Sequence, residues 1–461
     1  MYYYINKQYD NSINNWALKF LINSAGFNAV KINEISNQIQ IYYGNEPKET
    51  NALKNAIILQ KKECSLETVF SVDELSNLEG LPFDIIEATI LLLTDKVHKG
   101  LSLAHYDQHH RLKSASSIYF KNKSLQKPIV NAYVQMLKKQ IQEKFNLTPI
   151  PLYPKNYKSV IILSHDVDEP ERYAVLRNLK NIDHLSIKNK IFLYWIRLRK
   201  IIRKKIFGGE KSYWNFEKII DEESKYGFCS TFFFTAKSRF EKSANFSFDN
   251  SYEIEVNEFR ELFELLNSNG FEIGLHSSYN TEKNTTFFEE EKNKLEQVSK
   301  REIIGNRHHF WNLGEDSDST LVAHNNAGFK YDSSTAFNDS PGFRRGIALP
   351  YNPFDQKTST SLSTLQIPNF LMDTNLVDGE NETKILERAE LIISELKKAN
   401  GVGSINWHVR MSYPSDKSLS KYGRIYLKIL KFLSTNKDIW VTSFENFLKW
   451  QKEREDLINA Q

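Results

Sequence analysis

The segment SVIILSHDVD, residues 159–168, carries the clearest structural signal in the chain. An apolar and mostly β-branched run is followed by polar residues that include His165, Asp166 and Asp168. Such a run is typical of a strand buried on both faces, as in a parallel sheet covered by helices. In these sheets the functional side chains lie at the carboxyl ends of the strands. The segment therefore predicts a buried strand with candidate functional residues at its end.

The same pattern recurs downstream. Apolar runs stand at CSTFFFTA (229–236) and GFEIGLHSS (270–278), and a helical pattern, VNEFRELFELLNSNG (256–270), lies between them. A further segment, WVTSFENFLKW (440–450), is typical of a strand that leads into a helix. Buried strands that alternate with helices predict an α/β fold with a parallel sheet.

The first 150 residues are predicted to form a smaller mixed α/β unit. A strand and two amphipathic helices are expected there, in residues 38–44, 83–97 and 128–145. A proline-rich connector, NLTPIPLYPKNY (146–157), follows and marks a domain boundary. We therefore predict an N-terminal accessory domain, residues 1–150, and a second domain, residues 158–455.

The composition is that of a soluble globular protein, with 40% hydrophobic and 26% charged residues among 461. Two cysteines, Cys64 and Cys229, provide no disulfide framework and favour a reducing compartment. The sequence shows neither a signal-peptide pattern at its start nor an apolar run of transmembrane length. We therefore expect a cytoplasmic location.

The basic charge is concentrated in one segment, residues 184–209. It carries eight cations and no acid, whereas the whole chain has a net charge of +4, so the remainder is 4 − 8 = −4. A local basic element on an acidic body argues against a general nucleic-acid binder. As a helix, residues 188–209 would be basic and amphipathic, a form that lies on anionic membrane surfaces. The alternative is a helical insertion, residues 184–211, packed on the second domain with its cations in solvent.

Candidate chemical groups follow several of the apolar runs. Asp166 and Asp168 share one face of an extended segment, and their repulsion is relieved if one binds a metal and the other acts as a base. The other candidates at predicted strand ends are His276, Arg307, His308, His309 and His408. His165 is expected to point to the opposite face and to be structural. The N-terminal histidines, His105, His109 and His110, are assigned no chemistry.

The order of these groups resembles the polysaccharide deacetylase superfamily, also described as NodB-homology proteins or family-four carbohydrate esterases. The resemblance covers residues 158–450 and includes the phrases STFFFTA (230–236), GFKYDSS (328–334) and DIWVTSFENFLKW (438–450). GFRRGIALPYNPFD (342–355) and IPNFLMDTNL (367–376) resemble a bacterial subgroup that carries an additional N-terminal domain.

This resemblance implies a distorted (β/α) barrel and a metal-dependent hydrolase that removes acetyl groups from a carbohydrate. It favours N-acetyl over O-acetyl groups, zinc as the divalent metal, and a role in surface-polysaccharide biosynthesis. A lipid-linked glycan would suit contact between the basic segment and the inner membrane face. The alternatives are a catalytically degraded carbohydrate-binding protein and a hydrolase of another non-peptide C–N bond.

The resemblance also implies roles for single residues. Asp166 matches the catalytic base, Asp168 and His276 match metal ligands, Arg307 matches the residue that orients the base, and His408 matches the general acid. Asp373 is the candidate acid that holds this histidine or the arginine.

Asn280 departs from the family pattern, because it occupies the place of the second metal histidine. Three readings are open: His309 supplies the missing ligand, the Asn280 amide oxygen binds the metal weakly, or the metal site is broken. Alternation along an extended segment places His309 on the same face as Arg307, with His308 on the other face. We therefore predict that His309 completes the site with Asp168 and His276.

Overall fold

The computed structural model describes residues 1–461 except 48–50, 66–67, 71–82, 171–185, 208–212, 240, 243, 246, 378 and 413–419. Its strands are β1 Tyr2–Ile5, β2 Val30–Lys31, β3 Ile41–Gly44, β4 Ile57–Gln60, β5 Ser159–Val167, β6 Thr231–Phe234, β7 Glu272–Ser277, β8 Gly305–His308, β9 Tyr331–Asp332, β10 Phe354–Asp355, β11 Thr360–Ser361, β12 Leu365–Gln366, β13 Asn369–Met372, β14 Val402–Asn406 and β15 Ile439–Thr442. Its α-helices are α1 Ser12–Ser24, α2 Ile85–Leu93, α3 Ile118–Lys121, α4 Ile129–Phe145, α5 Ile187–Phe207, α6 Phe216–Ser224, α7 Asn257–Ser268, α8 Thr285–Ser299, α9 Ser317–Asn326, α10 Asp373–Leu376, α11 Glu382–Lys398, α12 Val409–Ser412, α13 Ser420–Thr435 and α14 Phe444–Asn459.

The N-terminal region contains a parallel four-stranded sheet in the order β2-β1-β3-β4, packed with helices α1, α2 and α4. The Asp84 carboxylate caps α2 by accepting from the amides of Ile86 and Glu87, which would otherwise lack partners. The predicted strand and both predicted helices are found as β3, α2 and α4. The hydrophobic core of this region also takes in Phe337, Ile347, Leu349 and Tyr351 from the far side of the predicted boundary. The division into two domains therefore stays a prediction.

The second sheet has nine strands among the described residues, and all of its strand pairs are parallel. Its order is β12-β9-β8-β7-β6-β5-β14-β13, with β15 also paired to β5. β5 is buried along its whole length, as its apolar sequence predicts.

The sheet curls until its two edges meet. β12 pairs with β9 and β13 pairs with β14, yet only Ile367 and Pro368 separate β12 from β13 in the chain. Across this break the Ile367 amide donates to Asp332 O, and Pro368 O accepts from the Ser404 amide. The edge segment is thus bonded to both ends of the sheet, and the predicted α/β fold with a distorted barrel is confirmed.

Alternation along β5 separates two layers. Ile161 and Leu163 face an outer core formed with helices α11 and α13. Val160 and Ile162 face the opposite side and pack with Phe233. Because successive side chains point to opposite faces, the even-numbered residues continue inward to Ser164 and Asp166 at the carboxyl end. The barrel interior is therefore apolar at one end and polar at the other.

The basic segment forms helix α5, as far as residues 186–207 are described, whereas residues 184–185 and 208–211 of the predicted insertion lie outside the described residues. Among the described helices, none combines the length and apolar character needed to cross a bilayer.

Candidate metal and catalytic site

Three donor atoms converge beside the carboxyl ends of β5, β7 and β8. Asp168, His276 and His309 each offer one ligand atom, and these atoms lie within 4.8 Å of one another. Asp168 Oδ1 is 3.4 Å from His276 Nε2 and 3.4 Å from His309 Nε2. Two donors bound at about 2.1 Å to a tetrahedral ion would lie about 3.4 Å apart. The two distances from Asp168 Oδ1 therefore match those expected around a zinc-like ion.

Asp168 Oδ1 is itself an argument for a cation. It is buried, and it has no hydrogen-bond partner among the described residues. A buried carboxylate oxygen without a partner is costly, so its orientation toward two imidazoles calls for a positive charge between them. The chemistry of the set, two imidazoles and a carboxylate, is that of catalytic zinc sites with one open position.

The second ring nitrogen of His276 and of His309, Nδ1, contacts an oxygen atom on the side away from Asp168. His276 Nδ1 donates to Arg307 O at 2.7 Å, and His309 Nδ1 lies 3.2 Å from the buried Asp249 Oδ1. A carbonyl oxygen can only accept a hydrogen bond, so the proton of a neutral His276 ring is on Nδ1. The lone pair of Nε2 is then free to bind a metal ion. Partners of this kind orient metal-binding histidines in known sites. Asp249 lies in an irregular loop, and no strand end or periodicity in the sequence marks it.

Electrostatics at His309 favour a cation at the same place. Burial alone would lower the pKa of His309, but Asp168 and Asp249 raise it to about 9. The cluster thus binds a positive charge, whether as a proton on the imidazole or as a metal ion in its place.

Asp166 is held ionised beside the cluster. Arg307 Nη1 donates to Asp166 Oδ1 at 2.9 Å, and Asn406 Nδ2 donates to Oδ2 at 2.7 Å. Burial would raise the pKa of Asp166, but the Arg307 guanidinium, with His276 and His408, holds it below its ordinary value. The carboxylate is therefore charged, oriented and close to the metal cluster, with Oδ2 3.8 Å from His276 Nε2.

Arg307 is completely buried and has a partner for each end of its guanidinium. It donates to Ser164 Oγ, Ser333 Oγ and Ser404 Oγ, and its planar group lies 4.4 Å from the centre of the Phe233 ring. A buried guanidinium is tolerated because it is paired and fully hydrogen-bonded.

His408 follows β14 and reaches the cluster from the other side. Its Nδ1 lies 2.9 Å from Asp373 Oδ2, and its backbone amide donates to the same oxygen at 2.6 Å. Its Nε2 lies 3.2 Å from Asp168 Oδ2. Burial would lower the pKa of His408, but Asp373 and Asp168 raise it to about 10. His408 and His276 thus meet at one carboxylate, as the predicted site requires.

Two further residues of the site lie in the same segment as His408 and are missing from the sequence prediction. Arg410 Nη1 donates to Asp168 Oδ2 at 2.8 Å, and Asn406 binds Asp166 as described above. Asn406, His408 and Arg410 stand two apart in the segment VGSINWHVR (402–410). The alternation rule that selected the aspartate pair on β5 would have selected them too.

Asn280 lies away from the cluster. Its side chain is exposed in a short 3-10 turn, and its amide oxygen accepts from Asn245 Nδ2 at 3.3 Å. The structure therefore brings together Asp168, His276 and His309 but not Asn280.

The end of β8 follows the predicted alternation at Arg307 and His308, and the chain then turns. Arg307 points to Asp166, whereas His308 points away to Ser277 and the Tyr279 carbonyl. His309 begins a tight turn in which Phe310 and Trp311 have φ of 58° and 52°. Such angles are strained for residues with bulky side chains. His309 reaches the cluster through this turn rather than by strand alternation alone.

His165 has the structural position that alternation predicts. Its Nε2 contacts Glu223 at 2.7 Å and its Nδ1 contacts Trp407 O at 2.6 Å, both in the outer layer of the barrel.

Comparison with known proteins gives one family model and several solved structures. Residues 2–146 match a family model described as a family of unknown function (DUF7033). None of the curated proteins matches the sequence.

Several solved structures resemble the barrel. A protein from Mycobacterium smegmatis assigned as a polysaccharide deacetylase is 14% identical, with a TM-score of 0.43, and the match covers 67% of this chain and 96% of that one. A polysaccharide deacetylase from Bacillus cereus is 12% identical, with a TM-score of 0.31, over 62% and 92% of the two chains. A CE4-family pseudoenzyme from Bacillus anthracis is 10% identical, with a TM-score of 0.32, over 66% and 70%. Values of this size carry no information on activity.

Proposed function

We propose that this protein is a metal-dependent hydrolase of the polysaccharide deacetylase type, which removes N-acetyl groups from a carbohydrate. The observation that carries the proposal is the convergence of Asp168, His276 and His309 beside two further groups. One is a carboxylate held by an arginine, Asp166, and the other is an imidazole held by a carboxylate, His408. Metal-dependent hydrolysis of an amide uses these three parts: a cation site, a base and an acid.

A divalent ion bound by Asp168, His276 and His309 would supply Lewis-acid activation of an acyl carbonyl and of a water molecule. The protein's own contribution is to keep these ligands in place. Arg410 and His408 fix one oxygen of Asp168, so the other oxygen points to the two imidazoles. Zinc is the proposed ion, because two imidazoles and one carboxylate suit its preferences.

Asp166 is the proposed base. Arg307 and Asn406 each occupy one lone pair of the carboxylate, and each carboxylate oxygen has a second lone pair to accept a proton. Because Arg307 keeps the group ionised, Asp166 can take the proton from the attacking water.

His408 is the proposed acid. Asp373 orients its ring through Nδ1, so Nε2 faces the cluster. A proton at Nε2 can pass to the amine that leaves when the C–N bond breaks, and the products are acetate and an amino sugar.

The sugar itself is proposed from two features. The motifs of residues 158–450 resemble carbohydrate deacetylases, and the half-buried Phe310 ring packs beside His309, with the half-buried rings of Phe248 and Tyr279 packed against Phe310. Aromatic faces of this kind offer apolar surface to a sugar ring. Surface-polysaccharide biosynthesis remains the proposed setting.

The test is acetate release from an oligosaccharide of N-acetylglucosamine, with O-acetylated xylan as the ester comparison. We expect release from the amide substrate, loss of release with a chelator, and recovery when zinc or cobalt is restored. The Asp166→Asn variant, which lacks the proposed base, serves as the inactive control. Glycan binding without release by metal-loaded protein would contradict the enzyme and favour a carbohydrate-binding role. Release of a product other than acetate would favour another C–N hydrolase.

A further inference from the structure

The N-terminal region reaches the metal cluster through one loop, DQHHRL (107–112). Arg111 Nη1 donates to Phe310 O at 2.9 Å and to Asn338 Oδ1 at 2.9 Å. Phe310 is the residue directly after His309 and has the strained backbone described above. The arginine therefore holds the turn that brings His309 to the other ligands.

A second residue of the same loop contacts the side chains around His309. His109 is almost completely buried, its Nδ1 lies 3.0 Å from Tyr279 Oη, and its ring packs 4.6 Å from the Phe310 ring. The Tyr279 amide donates to Asp249 Oδ1, the same oxygen that meets His309 Nδ1. One chain of contacts thus runs from His109 through Tyr279 and Asp249 to His309.

The loop is built to hold this shape. Asp107 Oδ2 accepts from Arg111 Nε at 2.8 Å, and Asp107 Oδ1 accepts from the backbone amides of His109 and Arg111. The Asp107 carboxylate therefore fixes the positions of both His109 and Arg111.

We propose that the loop of residues 107–112 positions the third metal ligand, so that the N-terminal region is a working part of the active site. The inference rests on the proposed function in taking His309 as a ligand. Arg111 and His109 are positioning residues, since neither is itself one of the converging donors.

The test is cobalt binding to the full chain, followed by the visible spectrum of the ion and by titration. Arg111→Ala and His109→Phe should each weaken cobalt binding by about tenfold, the scale seen when partners behind metal ligands are removed. His109→Phe keeps the ring packing and loses the contacts with Tyr279 and with the neighbouring Gln108 side chain, so Tyr279→Phe, which removes only the first of these, should match it if that contact carries the effect. Arg111→Lys should recover part of the loss, because its single ammonium can reach one acceptor.

Arg344→Ala is the control. Arg344 joins the same two regions through an ion pair with Asp95, away from the ligand loops. It should lower the melting temperature and leave cobalt affinity unchanged. Wild-type affinity in folded Arg111→Ala and His109→Phe would overturn the inference, and so would an equal loss in Arg344→Ala. A wild-type protein that binds no cobalt would instead overturn the metal site and with it the proposed function.

A separate observation concerns helix α5. Seven large apolar side chains on it are 46–78% exposed: Ile187, Ile191, Phe192, Tyr194, Trp195, Leu198 and Ile202. At about 100° per residue all of them except Phe192 fall within one stripe roughly 100° wide, which is the width of a helix face that normally packs against another surface. Lys188 and Arg199 are also exposed, and the helix contains no acid.

We infer that this face of α5 lies on an anionic membrane surface. The eight cations of residues 184–209 complement acidic lipid headgroups, and tryptophan and tyrosine prefer the interface between lipid and water. The helix is about 31 Å long at 1.5 Å per residue, which gives it an extended contact parallel to the membrane plane.

The experiment is cosedimentation with vesicles of phosphatidylcholine and phosphatidylglycerol, and with vesicles of phosphatidylcholine alone. Wild-type protein should bind the anionic vesicles. The double variant Trp195→Ser with Leu198→Ser should bind at least about tenfold more weakly. Leu391→Ser, on a residue 53% exposed elsewhere in the protein, is the matched control and should bind like wild type. Absence of wild-type binding to the anionic vesicles would overturn the inference. A wild-type dimer in solution would also overturn it, if the double variant lost both the dimer and the cosedimentation with vesicles.

Discussion

The metal site and helix α5 are two places where charged side chains gather, and they are built in opposite ways. In the site the charges are buried and face one another: Asp166 meets Arg307, and Asp168 meets Arg410 and His408. On α5, Lys188 and Arg199 are exposed, and so are seven large apolar side chains.

The difference follows from the cost of removing charge from water. A buried ion must be paired and hydrogen-bonded, so each side chain of the site depends on particular neighbours. An exposed ion keeps its hydration and contributes to binding only through the summed field of the surface. Single substitutions should therefore have large and distinct effects in the site, and small and similar effects on α5.

The largest contrast is expected within the aspartate pair. Asp166→Asn should lower turnover by about 10²–10⁴-fold, the usual contribution of a positioned base, and should leave metal binding intact. Asp168→Asn should lose the metal, because it removes a ligand charge. Metal content of the purified variants and acetate release measure the two effects. Because Asp166→Asn leaves Arg307 buried without its carboxylate, its melting temperature should also fall. Full activity and full metal content in both variants would show that the pair is structural.

The next contrast separates His309 from Asn280. His309→Ala should weaken zinc or cobalt binding by about 10²-fold or more, since it removes one of three protein ligands. Asn280→Ala should bind metal like wild type, because the side chain is exposed and bonded to Asn245. Isothermal titration of both metal-free variants gives the comparison. Metal retained without His309 and lost without Asn280 would make the amide the ligand and His309 a bystander.

A smaller effect is expected at Asp373, whose described hydrogen bonds to the site are with His408. Asp373→Asn keeps the size of the side chain but weakens the hold on Nδ1, so turnover should fall by about 10–100-fold with metal affinity unchanged. Asp332→Asn, at another buried aspartate that contacts a histidine, His324, outside the cluster, controls for loss of buried charge. Equal losses of turnover in the two variants would mean that Asp373 acts through stability alone.

The sequence was sufficient to predict the residues of the site that lie on strands or directly at their ends. The apolar run of β5 predicted a buried strand, and alternation along it placed Asp166 inward and His165 outward, as the structure has them. The rule that functional residues follow parallel strands also selected His276, Arg307 and His408, which the fold brings together. The alternation of strands and helices predicted the parallel α/β sheet, whereas its closure into a distorted barrel was implied by the family resemblance.

The residues that lie in loops could not be predicted in this way. Asp249 and Arg111 meet the ligand segments only because the chain folds back on itself, and no local period links them to His309. His309 lies beyond the end of β8, so its direction depends on a strained turn rather than on strand parity. Asn406 and Arg410 are different, since they share the spacing of His408 and were open to the same argument.

The smallest effects are expected for single charges on α5. Arg199→Gln removes one exposed cation, and each cation near an anionic surface contributes about 1 kcal/mol, so vesicle affinity should fall about fivefold at low salt. Lys398→Gln, an exposed cation elsewhere, should leave affinity unchanged. High salt should lower the vesicle affinity of the wild-type protein and reduce its difference from that of Arg199→Gln, because screening removes the contribution of the extra charge. The deficit of the double variant Trp195→Ser with Leu198→Ser should persist under the same conditions, since burial of apolar surface is not screened. If the vesicle affinity did not change with salt, the cations of α5 would play no part in membrane binding. The helix would then bind through its apolar stripe alone, and the contrast with the metal site would no longer be one between exposed and buried charges.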